Sequence, residues 1–108
     1  MEPFLYQIMD VAECDFVLRG RADMVTWSKD EYIHPPHADF PYPNTAAVFY
    51  VNESDGDTIL YGDEVSRVSP KGNRLVLFDG SILHTGCSPT KHKNRILINS
   101  NYGKKDQR

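Results

Sequence analysis

Between Pro3 and about Glu13 the apolar residues Leu5, Ile8, Met9 and Ala12 recur at the spacing of one helical face, and Pro3 suits a first helical turn. The pattern predicts one short helix in a lead segment, residues 1–15. Past Phe16 the periodicity changes. Residues 22–28, 46–51, 58–61, 74–78 and 95–102 form short β-rich runs separated by turn-forming clusters, as in an all-β sandwich or barrel. Asp55-Gly56, Lys71-Gly72-Asn73 and Asp79-Gly80 carry turn chemistry, and the first predicts a hairpin between residues 48–51 and 58–61. Residues 32–44 hold Pro35, Pro36, Pro41 and Pro43, which remove backbone donors and fix φ, so an ordered loop is expected there. The polar tail, residues 103–108, has nothing apolar to dock and is expected to fray.

Composition narrows the class. With 108 residues, 40% hydrophobic and 25% charged, the chain suffices for one core, so a single domain over residues 1–108 is expected. Its apolar runs fall far short of the roughly 20 residues a membrane-spanning helix needs, and its start lacks the features of a secretory signal. A cytoplasmic protein that begins near Met1, with no membrane partner, is the expectation. The formal net charge of −3 offers no basic stripe for nucleic acid, and none is expected as a partner. Cys14 and Cys87 lie far apart and read as reduced thiols rather than a disulfide scaffold. Without a secretory signal, the glycosylation triplet Asn52-Glu53-Ser54 reads as a chance match.

Two of the four histidines fall within His34-Pro35-Pro36-His37-Ala38-Asp39. In an extended segment residues two apart share a face, so His37 and Asp39 can hold one ion together. His84, in the strand-like run 81–85, is the candidate third ligand. Two imidazoles and a carboxylate on one side of an ion leave its other side open, as in non-haem Fe(II) oxygenases. Residue types alone leave other readings open. His37 and Asp39 could be loop polars capping a turn. His34 could complete an all-histidine set, although Pro35 and Pro36 stiffen the chain between the two histidines. Arg95 opens an otherwise apolar strand: pointing inward it needs an anionic partner, pointing outward a surface carboxylate suffices. Cys87 reads as a small buried hydrophobe, His92 as part of a solvated loop, and Trp27 as either pocket wall or core filler. Asp79, Ser81 and His84 are triad residue types without a nucleophile elbow, and Asp55 with Asp57 does not fit a calcium loop.

Four ordered blocks carry a further signal: His37-Ala38-Asp39; residues 47–52 followed by Asp55-Gly56-Asp57-Thr58; residues 73–79; and Leu83-His84-Thr85-Gly86-Cys87 closing with residues 94–99. Over residues 21–102 the chain resembles the Fe(II)- and 2-oxoglutarate-dependent oxygenases, in the prolyl 4-hydroxylase-like branch with its many small microbial and phage members. The resemblance implies an all-β double-stranded β-helix, a cupin-like jelly roll, behind one short N-terminal helix. It implies that His37, Asp39 and His84 bind Fe(II), that Arg95 pairs with the distal carboxylate of 2-oxoglutarate, and that Tyr50 donates its hydroxyl to that carboxylate. The dication, Asp39, the dianionic cosubstrate and Arg95 together carry no net charge. The implied reaction uses O2, with ascorbate as a candidate reductant, and hydroxylates a C–H bond of a peptidyl residue or small molecule with succinate and CO2 as co-products. Residues 40–45 form the substantial loop beside the implied iron, which makes Phe40, Tyr42 and Asn44, with Trp27, the candidate substrate-facing side chains. Relatives usually carry further N-terminal helices bracing the major sheet. So lean a chain is expected to be a minimal viral or microbial form, a trimmed piece, or a homodimer that completes its sheet. A non-catalytic jelly-roll module binding a metal or small anion is the alternative from another class.

Overall fold

In the run 45–50, Ala46, Val48 and Tyr50 alternate with Thr45, Ala47 and Phe49, and burial on both sets of positions makes this the central strand. The computed structural model, which describes residues 2–107, places it within seven strands and one helix. The helix α1 (Glu2–Val11) leads to β1 (Phe16–Thr26), β2 (Thr45–Tyr50), β3 (Thr58–Tyr61), β4 (Val65–Val68), β5 (Leu75–Asp79), β6 (Leu83–Gly86), β7 (Asn94–Gly103) and a closing 3-10 turn (Lys105–Gln107). Two antiparallel sheets result, with strand orders β1-β7-β2-β5 and β4-β3-β6. This is the expected jelly-roll-type fold with one short leading helix.

Helix α1 lies against the outer face of the larger sheet, where Ile8 joins Cys14, Ala47 and Tyr102 in one buried cluster edged by Phe4, Met9 and Phe49. Phe4 meets Phe49 edge-on at 4.8 Å between ring centres. On the inner face Val48, Tyr50 and Leu97 form a second cluster with Val68, Val76 and Phe78. Cys14 and Cys87 are both buried and free. No helix among the described residues is long and apolar enough to cross a membrane.

Three expectations need correction. The hairpin expected at Asp55-Gly56 does not form, because β2 and β3 lie in different sheets. Turn chemistry marks a change of direction but not the sheet that receives the next strand. The hairpin joins β3 to β4 instead, and β4, a short exposed edge strand, was not anticipated. No described glycine has a positive φ. Gly56 is needed for close approach: a Cβ there would stand 2.3 Å from the Cys87 carbonyl oxygen. Asp55 ties this crossover to the β6–β7 loop, accepting from the Thr90 amide (3.0 Å) and hydroxyl (2.8 Å), the Lys91 amide and His92 Nδ1 (3.0 Å). His92 is thus exposed yet paired.

Residues 32–44 form the expected ordered loop, with no strand of their own. His37 bridges His84 and Ile33 bridges Cys87, so the segment runs antiparallel along the free edge of β6. The His34 amide donates to Gly86 (3.1 Å), while His37 and His84 exchange both amide bonds (3.0 and 2.9 Å). Pro35 and Pro36 fall between these pairings, where an edge tolerates the missing donors. The second correction is the tail expected to fray: it begins inside β7, where Gly103 pairs with Phe16, and the Lys105 amide donates to the Asp15 carboxylate at 2.8 Å. Arg108 lies outside the described residues. The third is the start of β1, at Phe16 rather than residue 22: Arg19, Gly20 and Arg21 break the apolar pattern, yet the stretch pairs with β7 apart from a register shift between Val17 and Arg19.

Candidate metal centre

The backbone pairing of His37 with His84 fixes two imidazoles side by side, their ring centres 4.7 Å apart. Two residues on, the Asp39 amide donates to the Gly80 carbonyl, which holds the carboxylate against both rings. His37 Nε2 lies 3.4 Å and His84 Nε2 3.2 Å from Asp39 Oδ1. One ligand atom from each residue falls within 4.8 Å of the other two. Among the described residues no other group of three histidine, cysteine or acidic side chains converges in this way.

The shell around the triad orients it. His84 Nδ1 donates to the Ile82 carbonyl at 2.9 Å, which leaves Nε2 facing the site. Asn101 donates to Asp39 Oδ2 (2.9 Å), and Arg19 stands 3.5 Å from Oδ1. Burial pushes the Asp39 carboxyl up, but bonds from His84 and Asn101 and the charges of His84 and Arg19 outweigh it and hold the group at about 2. Burial pushes the His84 imidazole down, yet its bonds to Asp39 and the Ile82 carbonyl carry it above its ordinary value. With Nδ1 committed to a carbonyl, the contact from Nε2 to a carboxylate calls for positive charge between them. A proton supplies it in the free protein, and a divalent ion fits the same donors.

The triad opens on a cavity of about 100 Å³, also lined by Thr58, Gly86 and Arg95. Arg95 points inward and is only 4% exposed. Its Nε donates to the Gly56 carbonyl (2.7 Å) and Nη2 to Thr58 Oγ1 (2.7 Å), and no carboxylate among the described residues pairs with it. A Cβ on Gly86 would meet Nη1 at 3.0 Å, so glycine leaves this guanidinium its space. Tyr50 is fully buried, and its hydroxyl bonds Thr58 Oγ1 at 2.5 Å while its ring lies 5.7 Å from Arg95 Cζ. Burial pushes its phenol up. Tyr50 does not line the cavity; Thr58 stands between.

The four substrate-facing expectations fare differently. Phe40 stacks on Tyr42 (5.1 Å) and lies beneath the Arg19 guanidinium (5.3 Å), and neither ring lines the metal cavity. Asn44 is committed to the scaffold, donating to the Tyr42 carbonyl and accepting from Asn101 Nδ2. Trp27 neither walls the cavity nor fills the core: it is 54% exposed and donates to the Thr90 carbonyl. His34 turns its Nδ1 to the Gly86 carbonyl at 2.8 Å, away from the triad. Sequence reasoning missed Thr58, Gly86, Arg19 and Asn101. The register of β7 on β1 was the hidden signal, because it sets Asn101 opposite Arg19 on the face that carries Arg95.

Fold and site together describe a jelly roll with a His-Asp-His cluster at the mouth of its barrel. The crystal structure of a Pseudomonas putida prolyl-4-hydroxylase shares this fold, with a TM-score of 0.60 over 97% of the chain at 15% identity. The chain spans 63% of the length of that protein. No family model and no curated protein sequence matches the chain.

Proposed function

We propose that the protein is an Fe(II)- and 2-oxoglutarate-dependent dioxygenase that hydroxylates a C–H bond of a small molecule or peptidyl residue. The observation that carries this reading is the pairing, on the walls of one cavity, of a three-donor metal cluster with a buried arginine that has no anionic partner. A guanidinium desolvated without a counter-charge is costly unless a ligand supplies one.

His37, Asp39 and His84 would hold the metal. When bound, Fe(II) with O2 and 2-oxoglutarate supplies the oxidising chemistry, with succinate and CO2 as co-products. Arg95 holds a carboxylate of the cosubstrate, with Thr58 beside it and the Tyr50 hydroxyl fixing the Thr58 rotor. Asn101 and the Ile82 carbonyl orient Asp39 and His84, so that their free lone pairs would be available to a bound ion. Phe78 packs edge-on against His84, with ring centres 4.8 Å apart.

The test supplies the protein with Fe(II), ascorbate and labelled 2-oxoglutarate and follows succinate. Metal-dependent succinate formation is expected. Bound iron without succinate under any candidate substrate would instead indicate a binding module without turnover.

A further inference from the structure

The inner face of β1 carries Arg19, Arg21 and Asp23 opposite Asn101, Asn99 and Leu97 of β7. Beyond the metal cavity a second groove of about 270 Å³ continues outward between β1 and the His34-Pro35 segment, sharing Arg21, His37 and Arg95 with the inner chamber. The rim of this groove is organised. Arg21 Nε donates to Asp23 Oδ2 at 2.9 Å, and the same oxygen accepts from Asn99 Nδ2 at 2.6 Å. Asp23 thereby fixes the Nε edge of the guanidinium, and both terminal nitrogens of Arg21, a side chain 58% exposed, face the groove opening without a partner among the described residues. Two parallel N–H groups in a held plane match a carboxylate.

Charge points the same way. The dication, Asp39, 2-oxoglutarate and Arg95 sum to zero, and around them stand Arg19 and Arg21 against Asp23 alone. One positive charge is left over. Arg19 does not cancel it elsewhere, since its Nη2 bonds the neutral Asn101 amide and its buried Nε has no partner. The Asp39 carboxylate near it already balances the ion.

We propose that the organic substrate carries a carboxylate, and that Arg21 binds it through its two terminal nitrogens in the outer groove. This rests on the dioxygenase reading and adds the substrate class. The carboxylate anchors the substrate at the rim, and the carbon to be oxidised lies between Arg21 and His37. Arg21 acts as a specificity residue rather than as part of the oxidising centre.

The test loads the protein with Mn(II), saturates it with 2-oxoglutarate, and measures thermal stabilisation by a panel of metabolite-sized carboxylic acids, each paired with its primary amide. N-acetyl-L-proline with N-acetyl-L-prolinamide and 3-phenylpropanoate with its amide are two such pairs. At least one acid should bind about tenfold or more tightly than its amide. Arg21→Gln should erase that preference, and Arg21→Lys, which keeps the charge without the fork, should restore part of it. If no acid is preferred over its amide, or if the preference survives Arg21→Gln, the proposal fails while the dioxygenase reading stands. If 2-oxoglutarate itself gives no stabilisation of the Mn(II)-loaded wild type, the dioxygenase reading fails and takes the proposal with it.

Discussion

Replacing Arg95 by Met separates an arginine that serves the fold from one that waits for an anion. The side chain makes two bonds of 2.7 Å, to the Gly56 carbonyl and to Thr58 Oγ1, and bonds to a charged group contribute about 1.5–3 kcal/mol each. Against them stands the effective penalty of burying a cation without a counter-charge, which is several kcal/mol. Thr58 keeps its bond to Tyr50 after the substitution, so only the Gly56 carbonyl loses its partner. Met has similar length, and its thioether can rest on the Tyr50 ring where Arg95 now lies. The opposing contributions nearly cancel. Urea unfolding of the metal-free protein should therefore show Arg95→Met within about 2 kcal/mol of wild type. With Mn(II) present, 2-oxoglutarate at a hundred times its Kd should stabilise wild type by about 2.7 kcal/mol and the variant not at all. A loss above about 4 kcal/mol without ligand would make Arg95 a structural residue. Retention of the 2-oxoglutarate effect would remove it from the cosubstrate site.

Other consequences are equally specific. His84→Ala removes the most enclosed metal donor and should weaken divalent-ion binding by roughly a hundredfold or more, and unaltered metal occupancy would contradict the assigned triad. Because the Asp39 carboxyl is held at about 2, the metal-free protein should have the full contribution of this group above pH 4 and lose about 2 kcal/mol as pH falls towards 2. Asp39→Asn should flatten that acid limb in unfolding measurements, and an unchanged limb would refute the pairing. His84, with its value raised, stabilises the metal-free fold fully below about pH 6.5, a contribution that fades as pH rises through its folded value. Gly56→Ala drives a Cβ into the Cys87 carbonyl and should cost about 3 kcal/mol in a denaturant titration; a loss under about 1 kcal/mol would mean the crossover is loosely packed.

Local chemistry in the sequence revealed much of this architecture. Helical spacing at Leu5 and Ile8 marked α1, and the alternation through residues 46–51 marked the central strand, because burial imposes those periods directly. The His37, Asp39 and His84 set was legible because few residue types bind metals and two of the three stand two residues apart in the chain, on one face of an extended segment. Pairing between distant strands was not. Which face Arg95 takes depends on the register of β7 against β1 and β2, and no local pattern encodes it: Leu97 and Ile98 are equally apolar on opposite faces. Asp55-Gly56 looked like a hairpin because its turn chemistry is local, while its actual work, bracing residues 90–92 and approaching Cys87, is long-range. Asn44 looked like a loop polar facing substrate, and only the fold shows its amide engaged with Asn101 and Tyr42.

Titration of 2-oxoglutarate into the metal-free and the Mn(II)-loaded protein, by calorimetry, tests the central claim most directly. One cavity that holds a cation on His37, Asp39 and His84 and a dianion on Arg95 predicts one equivalent of each, with 2-oxoglutarate binding strongly only after the metal. Metal-independent binding of 2-oxoglutarate, or none with the metal in place, would contradict it.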